Sequence, residues 1–522
     1  MKFVLRIAAL STVISLLLFF TGCFDYSYID ETADSITTTG PESANVTTDN
    51  IKLNLPYISS DSLNPFLSQS EINRSLSSLI YDSLFSVGND YKPTPLMAKS
   101  FTLIDEKLTI TLRDDLIFSD LGGISSNDVV ASFEAAKKTE RYKSALYDIT
   151  GAVATSTYTV VFDVNSNNSD ICSLLTFPIV KTGTEDASQN KTDVPIGSGR
   201  YILSKTVNNE LYLTANLNRF DGYSPTYKNI GLISTSDEAS AASTFLLGHT
   251  NVLIDTYSDG IYEKYIGASN KQNMTNFIYL VCNSKNKILE DSNLKKAISY
   301  ALDREKIVNF SFIGYAKPAY IPFHPDYYCI KDYDSSPLKH DPELANSILD
   351  SIGYTDINTQ YNFRHSEGKV LEFDLAVNKD NPFKLSTAQL IKEQLAAVSI
   401  YINLNLLSQE DFLKAVSSGK YDMYLGECKL TDSLDLSVFF DTSNSASKGI
   451  PTDTKSKDIY YEFKNNEADV FEFINTFNSE MPFIPILYRC ASINSNSAMA
   501  VSNNAIVSDY YNNIDKWKNV ND

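Results

Sequence analysis

At 522 residues the chain exceeds what a single hydrophobic core supports, so at least two domains are expected, and 43% hydrophobic against 21% charged residues excludes a disordered chain. The formal charge is −20, and removing Lys2 and Arg6 with a leader makes it −22. A surface that acidic repels phosphate backbones and argues against a nucleic-acid partner.

Lys2 and Arg6 precede an apolar stretch, Ile7 to Phe20, and Phe20-Thr21-Gly22-Cys23 places small residues ahead of a cysteine. A run of about 14 apolar residues is short for a membrane span. It resembles a bacterial lipoprotein signal over residues 1–22, with Cys23 the lipidated residue. Residues 23–50, rich in Thr, Ser, Asp and Glu, read as a disordered tether. Six cysteines less Cys23 leave five, an odd number without CxxC spacing. Unpaired buried thiols are expected, a Cys282–Cys428 bridge being the alternative because both follow strands that can be neighbours.

Ile51, Leu53 and Leu55 alternate as a first strand, and Leu76, Leu79, Ile80 and Leu84 follow Ser62-Leu63-Asn64-Pro65 at helical spacing. Leu108 to Arg113 alternates as a strand. Ser125 to Phe133 starts a capped helix, Tyr158 to Val164 is another strand, and Leu211 to Asn216 a further one. Phe277 to Val281 is a short apolar strand ending near Asn283. Leu294, Ala297, Ile298, Ala301, Leu302 and Val308 then recur as one amphipathic helix capped from Asp291, Ser292 or Asn293 and broken at Gly314. Asp341-Pro342 opens a helix that Gly353 closes. Strands over Leu371–Val377, Ile400–Leu406 and Tyr421–Leu425 alternate with helices over Leu385–Val398 and Phe412–Val416, the latter stopped at Gly419; Phe483 to Tyr488 reads as a return strand. Strand and helix alternate, which points to an α/β protein.

The block Asp291, Ala297, Ile298, Ser299, Ala301, Asp303-Arg304, Ile307-Val308 and Gly314-x-Ala316 resembles the signature of family 5 extracellular solute-binding proteins, the peptide/nickel type binding subunits of ABC importers. Lys295 stands where that family usually has Arg. Further blocks follow in the right order from about residue 50 to 490, with two departures. Leu121 separates Asp120 from Gly122, implying a one-residue turn insertion. Ile196-Gly197-Ser198-Gly199-Arg200-Tyr201 has Ser for Thr and Arg for Pro in the family's Gly-Thr-Gly-Pro-Tyr turn.

The resemblance implies a two-lobed periplasmic-binding-protein-like fold of class C type, with a ligand cleft between the lobes. Lobe I would take residues 51–275 with an inserted subdomain at about 90–192, lobe II 276–481, and 482–522 would return to lobe I. Ser68 to Arg74 would line one wall, with Gln69, Ser70 and Glu71 as contacts, or would cap a helix only. The family's amine anchor lies in a segment with Trp and Ala-Asp-Tyr. Here that segment reads Tyr421 to Asp432 without the Trp, and Cys428 stands near its place. Glu427 or Asp432, both expected in a loop, would hold an amine and Lys429 a carboxylate; Tyr488 is a further wall residue.

Catalytic signatures are absent. His249, His324, His340 and His365 lie far apart without HExxH spacing, and neither GxSxG nor a P-loop lysine occurs, so no enzyme, metal site or cofactor is expected. The function implied is a monomeric, lipid-anchored binding protein on the outer face of the bacterial cytoplasmic membrane, passing an oligopeptide-like solute to an ABC permease. A surface receptor for a peptide signal, a binder of an oligosaccharide or nickel complex, and a secreted hydrolase remain as alternatives.

Overall fold

Two long strands, Ala268–Cys282 and Ile484–Ser495, pair antiparallel and run from one hydrophobic core into another. At one end Val252–Asp255 adds to Ile484–Ser495, and Val252, Ile254 and Ile493 belong to the first core. At the other, Phe277 to Cys282 and Ile484 to Tyr488 belong to the second. The computed structural model describes residues 51–519 apart from 187–192, 207, 263, 359–361, 367, 498 and 502–504. The expected leader with Cys23 and the expected tether fall outside these residues, and among the described residues no helix is long and apolar enough to cross a membrane.

The first core sits on two four-stranded sheets. One orders Asn54–Ile58, Asn229–Thr235, Leu211–Ala215 and Tyr201–Lys205; the other is an antiparallel meander-like sheet of Ala98–Ile104, Lys107–Leu112, Thr159–Val164 and Ile149–Ser156. Its burial alternates, as Leu108, Ile110 and Leu112 are covered while Lys107 and its same-face neighbours are not. Tyr511, Ile514 and Trp517 close this core from the end of the chain. The second core is built on a mixed seven-stranded sheet. Glu372–Asn378 pairs parallel with Tyr401–Leu407 through the crossover helix Pro382–Ala396, and parallel with Met423–Lys429, which pairs antiparallel with Ala268–Cys282. The crossing pair slips register between Asn273 and Phe277, which interrupts its ladder between the cores, and again between Ile278 and Tyr279 inside the second core.

Several elements differ from their sequence expectation. The first strand is Asn54–Ile58, beginning three residues late. The single helix expected through Val308 is two, Ser292–Ala301 and Arg304–Ser311, because Asp303 caps a fresh N-terminus by accepting from the Lys306 amide at 2.9 Å. Arg304 is wholly buried there, its guanidinium donating to the Pro485, Ser299 and Leu302 carbonyls and to Ser299 Oγ. The return strand is twelve residues long because it spans both cores. Met423–Lys429 reaches four residues beyond the expected end, which puts Glu427, Cys428 and Lys429 on a strand instead of a loop. No Cys282–Cys428 bridge forms: Cys282 lies opposite Met423 and Cys428 opposite Phe277, at opposite ends of the ladder, and all five described cysteines are free. Leu121 occupies a turn closed by the Phe118 amide on the Gly122 carbonyl, with φ +69° and its side chain 64% exposed.

The turn Gly197-Ser198-Gly199 packs directly on the end of the helix Glu71–Ile80. The Gly199 amide donates to the Ile80 carbonyl at 2.9 Å, and a Cβ on Gly199 would lie 2.4 Å from the Ile80 carbonyl carbon and 2.6 Å from the Leu79 oxygen. Backbone cannot yield as a side chain does. Gly199→Ala is therefore expected to destabilise the fold by about 1–3 kcal/mol in a chemical-denaturation measurement.

Candidate ligand cleft

Between the two cores lies a cavity of about 1120 Å³, slightly above the roughly 300–1,000 Å³ usual for small-molecule sites. One wall is the helix Glu71–Ile80, its N-terminus set by Ser70 and its turns presenting Glu71, Arg74 and Ser78. The short helix Glu140–Lys143, capped by Thr139, brings Arg141 and Tyr142. Met274 and Thr275 enter where the crossing strand loses register. Lys429 to Asp432 follow the strand Met423–Lys429, Lys464 ends the helix Lys455–Lys464, and a stretch from Ile506 to Asp515 completes the enclosure.

Among the described residues six basic side chains line the cavity, and five are paired. Arg74 and Lys429 meet Glu71 at 2.9 and 3.5 Å, Arg200 meets Asp509 at 2.6 Å, and Arg219 meets Asp82 at 2.8 Å and also bonds Asp221. Lys464 lies 2.8 Å from Asp148 and 3.3 Å from Asp435. Burial raises the Glu71 carboxyl, but Lys429, Arg74 and Arg141 outweigh it and hold the group below its ordinary range. The sixth, Arg141, has no carboxylate partner among the described residues. Its Nη1 is buried without a hydrogen bond, and its guanidinium lies 4.9 Å from the centre of the Tyr142 ring. Asp432 is the counterpart. It is half-buried and receives a 3.4 Å hydrogen bond from Thr176 Oγ1; burial lifts its carboxyl above the ordinary range, against the charges of Lys429 and Arg141. A cation and a carboxylate with unused hydrogen-bonding capacity thus face one cavity, where leaving such groups unmatched costs free energy.

Of the residues singled out from sequence, Glu71, Lys429 and Asp432 are in this wall, with the Lys429 side chain 60% exposed. The others stand outside it. Ser70 is the helix cap, its Oγ accepting from the Asn73 amide at 3.2 Å, and Gln69 is exposed, donating to the Leu67 carbonyl at 3.0 Å. Glu427 is held by Lys384 at 2.9 Å, Arg489 at 2.8 Å and Asn276 at 3.1 Å. Arg489 also donates to Tyr262 and to the Thr256 and Tyr257 carbonyls, so this network ties the segment after Val252–Asp255 to the second core. Cys428 packs against that core, and burial pushes its thiol up. Tyr488 is wholly buried, stacked 4.6 Å from Phe277, with its hydroxyl on the Pro322 carbonyl at 2.7 Å.

Arg141, Asp148, Lys464 and the 506–515 stretch did not stand out in the sequence. For Arg200 a signal existed. It is the Arg found where the family turn has Pro, and it is held by Asp509 and by the Tyr511 carbonyl at 2.9 Å, docking the last stretch of the chain onto the wall.

The Glu427 network has a pH signature. Burial raises this carboxyl, but Lys384 and Arg489 dominate and bring it from 4.5 to about 2. Its stabilisation is complete above the unfolded value and lost as pH falls through the folded one, an effect on the order of 3 kcal/mol. Glu427→Gln is expected to lower stability at neutral pH and to flatten the acid side of the stability profile in thermal melts, without changing solute affinity at temperatures where the variant is folded.

The comparisons with known proteins agree with this architecture. The model of "Bacterial extracellular solute-binding proteins, family 5 Middle" matches residues 92–449. The oligopeptide-binding protein AppA of Bacillus subtilis (strain 168) is 23% identical over 434 residues, 78% of this chain and 77% of that protein. The glutathione-binding protein GsiB of Salmonella typhi is 24% identical over 314 residues, 56% of this chain and 60% of that one. Among solved structures, NikA from Brucella suis in complex with Fe(III)-EDTA superposes with a TM-score of 0.69 at 19% identity, over 90% of this chain and 99% of that one. The unliganded open form of the periplasmic murein tripeptide binding protein MppA gives 0.73 at 16% identity, over 87% and 95%. The shared fold is mixed α/β and two-lobed, and these relatives are solute-binding proteins of ABC transporters, not enzymes. With the family model covering well over half of its length, the chain belongs to the bacterial extracellular solute-binding proteins of family 5.

Proposed function

We propose that this protein is the lipid-anchored binding component of an ABC importer, monomeric on the outer face of the cytoplasmic membrane. It captures an oligopeptide-like solute by lobe closure and delivers it to the permease. The observation that carries this reading is a pair in the cavity with unused hydrogen-bonding capacity: Arg141, whose Nη1 has no hydrogen bond, for a carboxylate, and Asp432, with its 3.4 Å bond from Thr176, for an ammonium group, in a space of about 1120 Å³. A zwitterion supplies both charges at once, and desolvating them together in the closed cleft strengthens each contact. The moving bodies are lobe I (51–275, with its insertion at about 90–192, and 482–522) and lobe II (276–481), turning on the crossing strands. The similarity to AppA, an oligopeptide-binding protein, and GsiB, a glutathione-binding protein, supports a ligand with these two ends.

A second reading has one specific observation in its favour. Arg141 suits any carboxylate, including those of a chelator such as the Fe(III)-EDTA bound by NikA. Among the described residues no group of three or more His, Cys, Asp or Glu is placed to hold a metal, so a metal would enter with its own ligands.

Native mass spectrometry of the protein extracted without denaturant is expected to find a copurifying peptide. Absence of peptide, together with thermal stabilisation by a sugar or a metal chelate, would sink the peptide assignment. In calorimetric titrations Asp432→Asn should weaken binding of free-amine peptides by about 10- to 100-fold and leave N-acetylated ones unaffected, and Arg141→Met should do the same for free-carboxylate against amidated peptides. Because the Asp432 carboxyl titrates above the ordinary range, affinity for an ammonium-bearing solute should begin to fall at a higher pH than a surface aspartate would cause.

A further inference from the structure

The stretch that carries Asp148, Ser166, Asp170 and Thr176 meets the second-core side of the cleft through polar groups. Lys464 is held at both of its ends. Its ammonium lies 2.8 Å from Asp148 and 3.3 Å from Asp435, and its backbone carbonyl accepts from Ser166 Oγ at 2.7 Å. Asp435 is fixed on its own side by the Ser437 amide and hydroxyl at 2.9 and 2.7 Å and by the Tyr460 hydroxyl at 2.5 Å. Lys464 and Asp435 therefore belong to one body and Asp148 with Ser166 to the other. The three charged side chains are only 14–16% exposed, so the bond across the cleft is screened less than a surface pair. Asp170 also accepts from the hydroxyls of both Tyr327 and Tyr328, and Thr176 donates to Asp432. Of these groups Asp148, Thr176, Asp432, Asp435 and Lys464 line the cavity.

We infer that Lys464 is a cleft latch. Its bond to Asp148, with the Ser166 hydroxyl on its carbonyl, keeps the inserted stretch shut against the second core and sets the fraction of molecules in the solute-competent shape. This rests on the reading that the cleft closes over a solute. Apparent affinity scales with that competent fraction, so a residue that never touches solute tunes binding. The Lys464 ammonium already faces two carboxylates, which makes it a positioning residue and leaves Arg141 as the cation open to ligand.

The test compares Lys464→Met, Asp148→Asn, the double variant and Ser166→Ala, each first shown to be folded by its thermal melt. Small-angle scattering of the solute-free proteins should show a larger radius of gyration for every variant than for the native chain. Calorimetry with a pool of tri- to pentapeptides should show affinity weakened about tenfold in Lys464→Met and Asp148→Asn, with the double variant no worse than the weaker single one. Scattering curves superimposable on the native curve, or additive losses in the double variant, would overturn the latch. If no peptide binds the native protein, the peptide reading fails by itself, and the solute-free scattering still decides the latch. Should Lys464→Met not fold, Asp148→Asn and Ser166→Ala carry the same comparison.

Discussion

The structure depends on one antiparallel pairing, that of Ala268–Cys282 with Ile484–Ser495. Each strand ends in a different hydrophobic core, so the same ladder is an inner strand pair of the second sheet and a bridge to the first. A hydrogen-bonded ribbon resists stretching but twists and bends with little loss of bonding where its register slips. The slip at Asn273–Phe277 lies between the cores, where bending would bring the cavity walls together, and the one at Ile278–Tyr279 lies just inside the second core. The Glu427–Arg489–Lys384 network stiffens the same junction from the side by holding the chain at Thr256 and Tyr257. Two bodies joined by a ribbon that bends would meet the mechanical requirement of the proposed capture by closure.

The cavity adds a chemical constraint. Its wall carries more carboxylates than cations, as does the surface of this acidic chain, yet almost every basic group in it is already satisfied. What is unmatched is therefore more informative than what is charged. Arg141 and Asp432 have few partners of their own, whereas Arg200, Arg219 and Lys464 are occupied in holding wall segments together. The wall consequently divides labour between groups that shape it and groups open to a guest.

Much of the local structure could be read along the chain, because its signals are local. Asp291, Asp341-Pro342 and Gly419 mark helix ends through hydrogen bonds and dihedrals within a few residues, and each stands where expected. The reading faltered where a distant partner decided the outcome. One helix became two at Asp303, which caps the second, while the buried Arg304 donates to the Pro485 carbonyl on the return strand. The strand at Met423 ran on through Lys429 because Phe277 and its neighbours supply a ladder for it. Of the residues proposed to touch ligand, Ser70, Glu427 and Tyr488 carry suitable chemistry, but the fold uses it internally for a cap, an ion network and a stacked core ring.

By itself the sequence determined the kind of protein: the alternation of strands and helices, the family block around Asp291 to Ala316 and the acidic surface are written in order along the chain. Tertiary structure alone decided which side chains face the cavity. Arg141 comes from a segment hundreds of residues before those of Asp432, Asp435, Lys464 and Asp509, and whether a charge is paired or left open follows from distances across the cleft that no local pattern encodes.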